Sequence, residues 1–217
     1  MRGIILKDFM TLGHSIAHEV IINKSRFIGL TYPVTSEDDI AKCLGDARLK
    51  YPNASHYCYG YILGKDGMLQ RFSDDGEPGG TAGMPIMQVL LQQELRDVLV
   101  VVVRYFGGIK LGAGGLVRAY TKTAVEAIEK ADKIKMTYTS KGIISIDYHL
   151  LGSVEHYLRQ DGILILEITY QENVQITIIT NIHWDEVCNR LTDICSGNIN
   201  IEEQDSVYYH WILDIQR

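Results

Sequence analysis

The apolar run Val98–Val103 constrains the fold more than any other segment of the chain. It is continuous rather than alternating and rich in β-branched residues, which predicts a strand covered on both faces. A glycine-rich stretch follows at once, and Arg104 stands where the strand leaves the core. Apolar residues then recur every three or four positions from Leu116 to Ala131, which predicts a helix packed on the sheet. The segment therefore predicts the order strand, glycine-rich loop, helix.

The glycine-rich loop is a predicted anion site. Such a loop presents backbone N–H groups at a helix N-terminus, where the helix dipole favours a phosphate. The alternative is that the glycines only let the chain turn and that Lys122 pairs with Glu126. The predicted anion- or nucleic-acid-binding set is Arg104, Gly107, Gly108, Lys110, Gly112, Gly114, Gly115, Arg118 and Lys122.

Two familiar phosphate-binding motifs do not match this loop. Ala113 and Gly114 stand where a P-loop needs Lys and Ser or Thr to hold phosphate and magnesium. Val117 replaces the third small residue of the dinucleotide-binding fingerprint. The sequence therefore argues against a P-loop NTPase and against a Rossmann cofactor site.

A second glycine-rich segment, residues 71–85, joins a predicted short strand to a predicted helix from Ile86 to Leu95. Its carboxylates could transfer protons or hold a cation, although Asp and Gly are also ordinary turn residues before a helix. We predict no catalytic residue, no metal site and no cofactor. The predicted ligand contacts of this segment are Arg71, Asp74, Asp75, Glu77 and Thr81.

Three tyrosines alternate along the predicted strand His56–Leu63 and so share one face. Aromatic side chains on a sheet face can stack on nucleic-acid bases. The alternative is that they pack in the core beneath a helix. The predicted base-stacking set is Tyr57, Tyr59 and Tyr61.

Three segments resemble the YigZ/IMPACT family in their order and spacing. They are Lys24–Ile28 (KSRFI), Asp74–Gly83 (DDGEPGGTAG) and Val101–Gly112 (VVVRYFGGIKLG). For residues 1–132, the resemblance implies the α/β fold of a small-subunit ribosomal protein domain and of domain four of elongation factor G. For residues 141–217 it implies a ferredoxin-like βαββαβ domain, so the predicted fold class is α+β. The spacing of turns and apolar segments independently indicates that βαββαβ order.

The resemblance also implies a function in translation. Eukaryotic relatives modulate translation through a regulator of an initiation-factor kinase, but they carry a further domain that is missing from this sequence. Bacterial members are associated with nucleic-acid or ribosome binding. The expected partner is therefore RNA, the ribosome or a protein of the translation machinery.

Charge is unevenly distributed between the two predicted domains. Residues 1–132 carry 15 Lys and Arg against 15 Asp and Glu, whereas residues 133–217 carry 6 against 12. Because Lys and Arg supply most of the non-specific affinity for nucleic acid, any such face belongs to the first domain. Residues 133–140 are polar and are predicted to be a linker. The sequence contains no apolar stretch long enough for a membrane span and no signal segment, so we expect no membrane partner and a cytoplasmic protein.

Three functions remain open from the sequence. The first is a translation-associated protein that binds RNA, the ribosome or another anionic partner through the basic glycine-rich loop. The second is an enzyme or sensor for a small phosphorylated metabolite or nucleotide, with Gly112–Gly115 around the phosphate. The third is a protein-interaction adaptor that uses the acidic second domain. Of these, the non-enzymatic first function is the primary prediction, and the oligomeric state stays open.

Overall fold

The computed structural model describes residues 8–160 and 162–211, which divide into two compact units between Lys135 and Met136. The described residues form ten strands and five α-helices, and their two sheets are antiparallel in all the strand pairs given below. The protein is thus of mixed α and β structure, as the sequence predicted. No helix among the described residues is long and apolar enough to cross a membrane.

The first unit contains Phe9–Leu12 (β1), Ile16–Ile22 (β2), Ser25–Pro33 (β3), Glu37–Lys50 (α1), His56–Leu63 (β4), Leu69–Ser73 (β5), Gly83–Gln92 (α2), Val98–Tyr105 (β6) and Gly112–Glu129 (α3). It is built on a five-stranded sheet with the strand order β2-β3-β6-β4-β5, in which all neighbours are antiparallel.

The central strand β6 is covered on both faces, which confirms the prediction from its apolar run. Val98–Val103 are fully buried. On one face Leu99, Val101 and Val103 pack in a cluster with residues of α1. On the other face, Val98, Val100 and Val102 pack with residues of α2 and α3. This packing on both faces of β6 fixes the position of Arg104 and of the glycines that follow it.

The helix starts of the first unit follow local sequence signals. At α1, Ser36 is of a residue type that favours the N-cap position, and it forms a reciprocal capping box with Asp39. The helix α2 starts at Gly83 and ends at Gln92, three residues earlier at each end than predicted, and Pro85 lies in its first turn. The helix α3 starts at Gly112, so Gly112, Gly114 and Gly115 form its first turn rather than the loop before it.

The second unit contains most of Lys133–Ile146 (β7), together with Leu151–Leu158 (α4), Ile163–Tyr170 (β8), Val174–Thr180 (β9), Trp184–Ile194 (α5) and Ile199–Tyr209 (β10). This order is βαββαβ, as predicted. The strands lie in the order β10-β7-β9-β8, and each neighbouring pair is antiparallel. Ile144, Ile176, Val187 and Leu191 are fully buried in the core between the sheet and its two helices.

Two predicted boundaries differ from the structure. Residues 133–140 belong to β7 rather than to a linker, and Thr137–Thr139 pair with β10. Exposed Lys133 and Lys135 alternate with partly buried Ile134 and Met136, the pattern of a half-buried strand. The last strand ends at Tyr209. Residues 212–217 of the predicted second domain lie outside the described residues.

Candidate functional site

The glycine-rich loop places the N-terminus of α3 beside the end of β6. Gly108 and Gly112 have φ angles of 83° and 71°, a region that disfavours side chains with a Cβ. The helix α3 is 18 residues long and has no acidic residue in its first turn, and no side chain within the described ranges caps it by a hydrogen bond. Because the first N–H groups of a helix lack partners within it, this terminus favours an anion.

Gly107 joins this loop to the early segment Lys24–Phe27. Its N–H donates to Ser25 Oγ at 3.1 Å. A Cβ at residue 107 would overlap the backbone of Lys24, so the two segments approach so closely that only glycine fits. Phe27 extends the contact, since its ring centre lies 5.2 Å from the Arg104 guanidinium carbon. Two of the three segments that resemble the family, Lys24–Ile28 and Val101–Gly112, therefore pack directly against each other.

Arg104 is buried rather than displayed on the surface. Its side chain is 6% exposed, and its Nη1 lies 2.5 Å from Glu77 Oε1, so the two form a buried ion pair. The sequence analysis predicted that the charge of Arg104 binds an external anion, but Glu77 already balances that charge within the protein. Within the described part of the chain, Arg104 Nε has no hydrogen-bond partner although it is buried.

Glu77 is the centre of a polar network in the core. Its side chain is 4% exposed and accepts a hydrogen bond from the Tyr120 hydroxyl at 2.8 Å. His56 Nε2 lies 3.8 Å from Glu77 Oε2, and His56 Nδ1 lies 2.8 Å from the Asp75 carbonyl oxygen. The second glycine-rich segment thus contacts β4, β6 and α3 through one carboxylate.

Cys58 beside this network and Tyr120 within it are both held in their neutral forms. Burial raises the pKa of Cys58 to about 12, and its thiol lies 3.4 Å from the Tyr120 hydroxyl. Burial also raises the pKa of Tyr120, and the nearby Cys58 and Glu77 raise it further. Neither group supplies a nucleophile near neutral pH, because a thiolate or phenolate is disfavoured there.

The other predicted residues of the second segment hold backbone and surface partners. Asp74 accepts the N–H groups of Gly80, Ala82 and Gly83 at 2.8 to 3.0 Å. Burial raises the pKa of Asp74, but these three donors together hold it below its ordinary value. Asp74 therefore organises the turn that leads into α2. Asp75 accepts the Tyr57 N–H at 2.7 Å, Thr81 donates to the Pro78 carbonyl, and Arg71 lies 3.9 Å from Glu37.

A cavity of about 380 Å³ lies where the two glycine-rich segments meet. Its lining combines charged and polar side chains with apolar ones. Its lining residues are His56, Glu77, Pro78, Arg104, Phe106, Lys110, Leu111, Gly112, Ala113 and Leu116. The cavity therefore unites residues of both predicted sets at the N-terminus of α3.

The three exposed cations of the predicted anion set have different surroundings. Lys110 lines the cavity. Arg118 is exposed on the first turns of α3, where a Cβ at Gly114 would lie 3.8 Å from its Nη1. Lys122 lies 3.7 Å from Glu126, the ion pair that the alternative interpretation predicted. Lys110 and Arg118 are thus the cations best placed for an external anion.

The tyrosines of β4 lie on the face covered by α1. Tyr57 and Tyr61 are 7% and 5% exposed and pack in the cluster that includes Ile40 of α1, while Tyr59 is partly buried beside them. This is the packing arrangement that the alternative described. Base stacking by these tyrosines stays a prediction without support from their placement.

Sequence reasoning did not assign two members of the network to a site. His56 was only the first residue of the predicted strand His56–Leu63, and Tyr120 lay within the predicted helix from Leu116 to Ala131. Tyrosine within such a stripe is a weak signal, because its hydroxyl needs a buried partner that only the fold can supply. Among residues 8–160 and 162–211, no group of three His, Cys, Asp or Glu side chains is arranged to hold a metal ion.

Comparison with known proteins matches both units to described families. Residues 23–128 match the Impact N-terminal domain, and residues 144–198 match a domain of unknown function, DUF1949. A crystal structure titled as that of a hypothetical protein superposes with a TM-score of 0.61 at 29% identity, covering 91% of this chain and 98% of the other.

Named relatives cover most of the chain. IMPACT family member YvyE of Bacillus subtilis is 36% identical over 205 residues, which are 94% of each chain. IMPACT family member YigZ of Escherichia coli is 32% identical over 83% of this chain and 90% of the relative. An IMPACT family member of Thermus thermophilus is 39% identical over 73% of this chain and 85% of the relative. The chain therefore belongs to the IMPACT family.

Proposed function

We propose that this protein regulates translation by binding RNA or the ribosome through the first unit. Membership of the IMPACT family supports a translation-related role in broad terms. The uncapped N-terminus of α3, flanked by the exposed cations Lys110 and Arg118, is the observation that carries the RNA-binding part of the proposal. A protein of this role would act in the cytoplasm, which stays a prediction.

The predicted cations have different roles in RNA or ribosome binding. Lys110 and Arg118 contact phosphate groups of the partner, and Arg104 instead holds Glu77 and the loop in place. Because phosphate contacts position a protein without reading sequence, we expect little sequence preference. The finer fold names belong to the same proposal: we assign the second unit the ferredoxin-like fold from its strand order β10-β7-β9-β8, and the first unit the fold of elongation factor G domain four from the family resemblance alone.

The test is binding of the purified protein to labelled single-stranded RNA and its co-sedimentation with purified ribosomes. A variant with Lys110→Ala and Arg118→Ala is expected to lose most of the binding in at least one of these assays. The control variant carries Lys42→Ala and Lys130→Ala, which remove two exposed charges from α1 and from the far end of α3. Equal binding by both variants, or no binding by the intact protein, would reject the proposal.

A second function is favoured by the cavity at the N-terminus of α3. Its volume of about 380 Å³ lies in the range of small-molecule sites, and its wall combines apolar and charged side chains. An enzyme or sensor for a small phosphorylated metabolite or nucleotide is therefore the alternative. Ligand binding that is insensitive to salt and independent of Arg118 would favour it over RNA binding.

A further inference from the structure

The cavity at the N-terminus of α3 is larger than a phosphate contact on a protein surface requires. Its volume of about 380 Å³ suits a whole small ligand rather than one phosphate group. We propose that this cavity binds a nucleoside 5′-phosphate, either as a free nucleotide or as the phosphorylated 5′ end of an RNA chain. This inference identifies the ligand of the site at the start of α3. It rests on the proposed function where it takes RNA as the source of that ligand.

Several groups in the cavity lining could bind the phosphate. The first turn of α3 contributes Gly112 and Ala113, and Lys110 precedes them in the loop. Glu77 does not repel an anion strongly, because the Arg104 guanidinium balances its charge and the Tyr120 hydroxyl donates a hydrogen bond to it. The positive groups that remain, Lys110 and the end of the helix dipole, favour the two negative charges of a terminal phosphate.

Arg104 provides an observation that is independent of the helix terminus. Its side chain is buried and lines the cavity, and its Nε has no hydrogen-bond partner among the residues that the structure describes. Buried donors of this kind are rare in proteins, since an unsatisfied donor is destabilising. In this proposal, a ligand oxygen that reaches Arg104 from the cavity would supply the acceptor that this donor lacks.

The apolar residues of the cavity lining suit a nucleoside. Pro78, Leu111 and Leu116 are apolar, and Phe106 is 51% exposed at the wall of the cavity. Aromatic rings stack on bases of any identity, so this wall favours a nucleoside without selecting one base. Cationic and apolar groups in one lining favour a nucleotide over inorganic phosphate, which has no apolar part.

The experiment is calorimetric titration of the intact protein with adenosine, guanosine, cytidine and uridine 5′-monophosphates, and with inorganic phosphate. Parallel titrations use one RNA oligonucleotide with a 5′-phosphate or a 5′-hydroxyl end. We expect at least one nucleoside monophosphate to bind about tenfold or more tightly than inorganic phosphate. If the natural source is RNA, the 5′-phosphorylated oligonucleotide binds more tightly than its 5′-hydroxyl form by a similar factor.

Ala113→Glu is the decisive variant. It adds a carboxylate to the first turn of α3, where the helix dipole stabilises it, so the protein stays folded while the cavity repels a phosphate. The control is Ala113→Gln, which has the same size without the charge. Nucleotide affinity should fall at least tenfold further in Ala113→Glu than in Ala113→Gln, with an unfolding midpoint no lower than that of the control.

The outcomes separate this inference from the proposed function. Nucleotide binding without RNA or ribosome binding supports the cavity inference and rejects the proposed function. RNA binding that ignores the 5′ end, without binding of any nucleoside monophosphate, keeps the proposed function and overturns the inference. Nucleotide binding that is equal in the two Ala113 variants also overturns it, because the ligand would then lie elsewhere.

Discussion

At the scale of residues, the site depends on one buried carboxylate. Glu77 balances the charge of Arg104, accepts the Tyr120 hydroxyl and faces His56. A buried ion pair is not by itself a source of stability, because desolvation of the two charges opposes their attraction. Loss of one partner, however, leaves the other charge buried without compensation. We therefore assign Glu77 and Arg104 the task of holding the two glycine-rich segments together.

Replacement of Glu77 should be much more destabilising than replacement of an exposed carboxylate. Glu77→Ala is expected to lower the free energy of unfolding by about 3 to 5 kcal/mol, since it leaves Arg104 charged and buried. The control is Glu19→Ala, which breaks the exposed pair with Arg26 and should cost less than about 1 kcal/mol. Urea denaturation of both variants measures the difference, and similar losses would contradict a charge-balancing role for Glu77.

Asp74 should make the stability of the first unit depend on pH. Its pKa is lowered in the folded protein, so its contribution is present above the unfolded pKa of about 3.9 and is lost as pH falls through the folded value. Asp74→Asn imitates the protonated carboxyl and should cost about 1 kcal/mol at neutral pH, as loss of a helix cap does. Urea midpoints of both proteins should converge as pH is lowered through the acid range. A difference that is independent of pH would contradict this account.

At the scale of elements, the site is made by close backbone contacts within and between its loops. Gly107 of the first glycine-rich loop lies directly against the backbone of Lys24, and Gly83 at the start of α2 lies directly against Ser73. A Cβ at Gly83 would come within 2.6 Å of that backbone. These contacts position the N-terminus of α3 and the second segment around the same cavity.

Gly107→Ala should therefore separate two elements. The added methyl group would overlap the backbone of Lys24, which cannot move as a side chain can, so we expect a loss of about 1 to 3 kcal/mol. The control is Gly79→Ala in the other glycine-rich segment, where a Cβ meets nothing within 4 Å and the cost should stay within about 0.5 kcal/mol. Thermal unfolding of the two variants measures this, and equal midpoints would show that the loops are not tightly packed.

The sequence predicted the elements of this site better than its contacts. Strong periodicity located β6 and the apolar stripe of α3, and the Ser36 cap located the start of α1. It could not show that Arg104 points into the core, because an Arg at a strand end is ordinarily exposed and its partner Glu77 is 27 residues away. It also placed residues 133–140 in a linker, since their polar side chains obscured the alternation of a strand.

At the scale of the whole molecule, the two units differ in net charge. Residues 1–132 carry equal numbers of basic and acidic residues, whereas residues 133–217 hold the whole net charge of −6. An anionic partner therefore favours the first unit, in which Lys110 and Arg118 flank the start of α3. The adaptor function predicted for the acidic unit stays a prediction.

The central claim is that an anionic polymer contacts Lys110 and Arg118, and its most direct test is the salt dependence of RNA binding. For single strands, the slope of log affinity against log salt concentration changes by about 0.7 for each phosphate contact. The variant with Lys110→Ala and Arg118→Ala should thus bind with a slope shallower by about 1.4, while the Lys42→Ala and Lys130→Ala control keeps the slope of the intact protein. Identical slopes in all three proteins would contradict the claim that these cations contact phosphates.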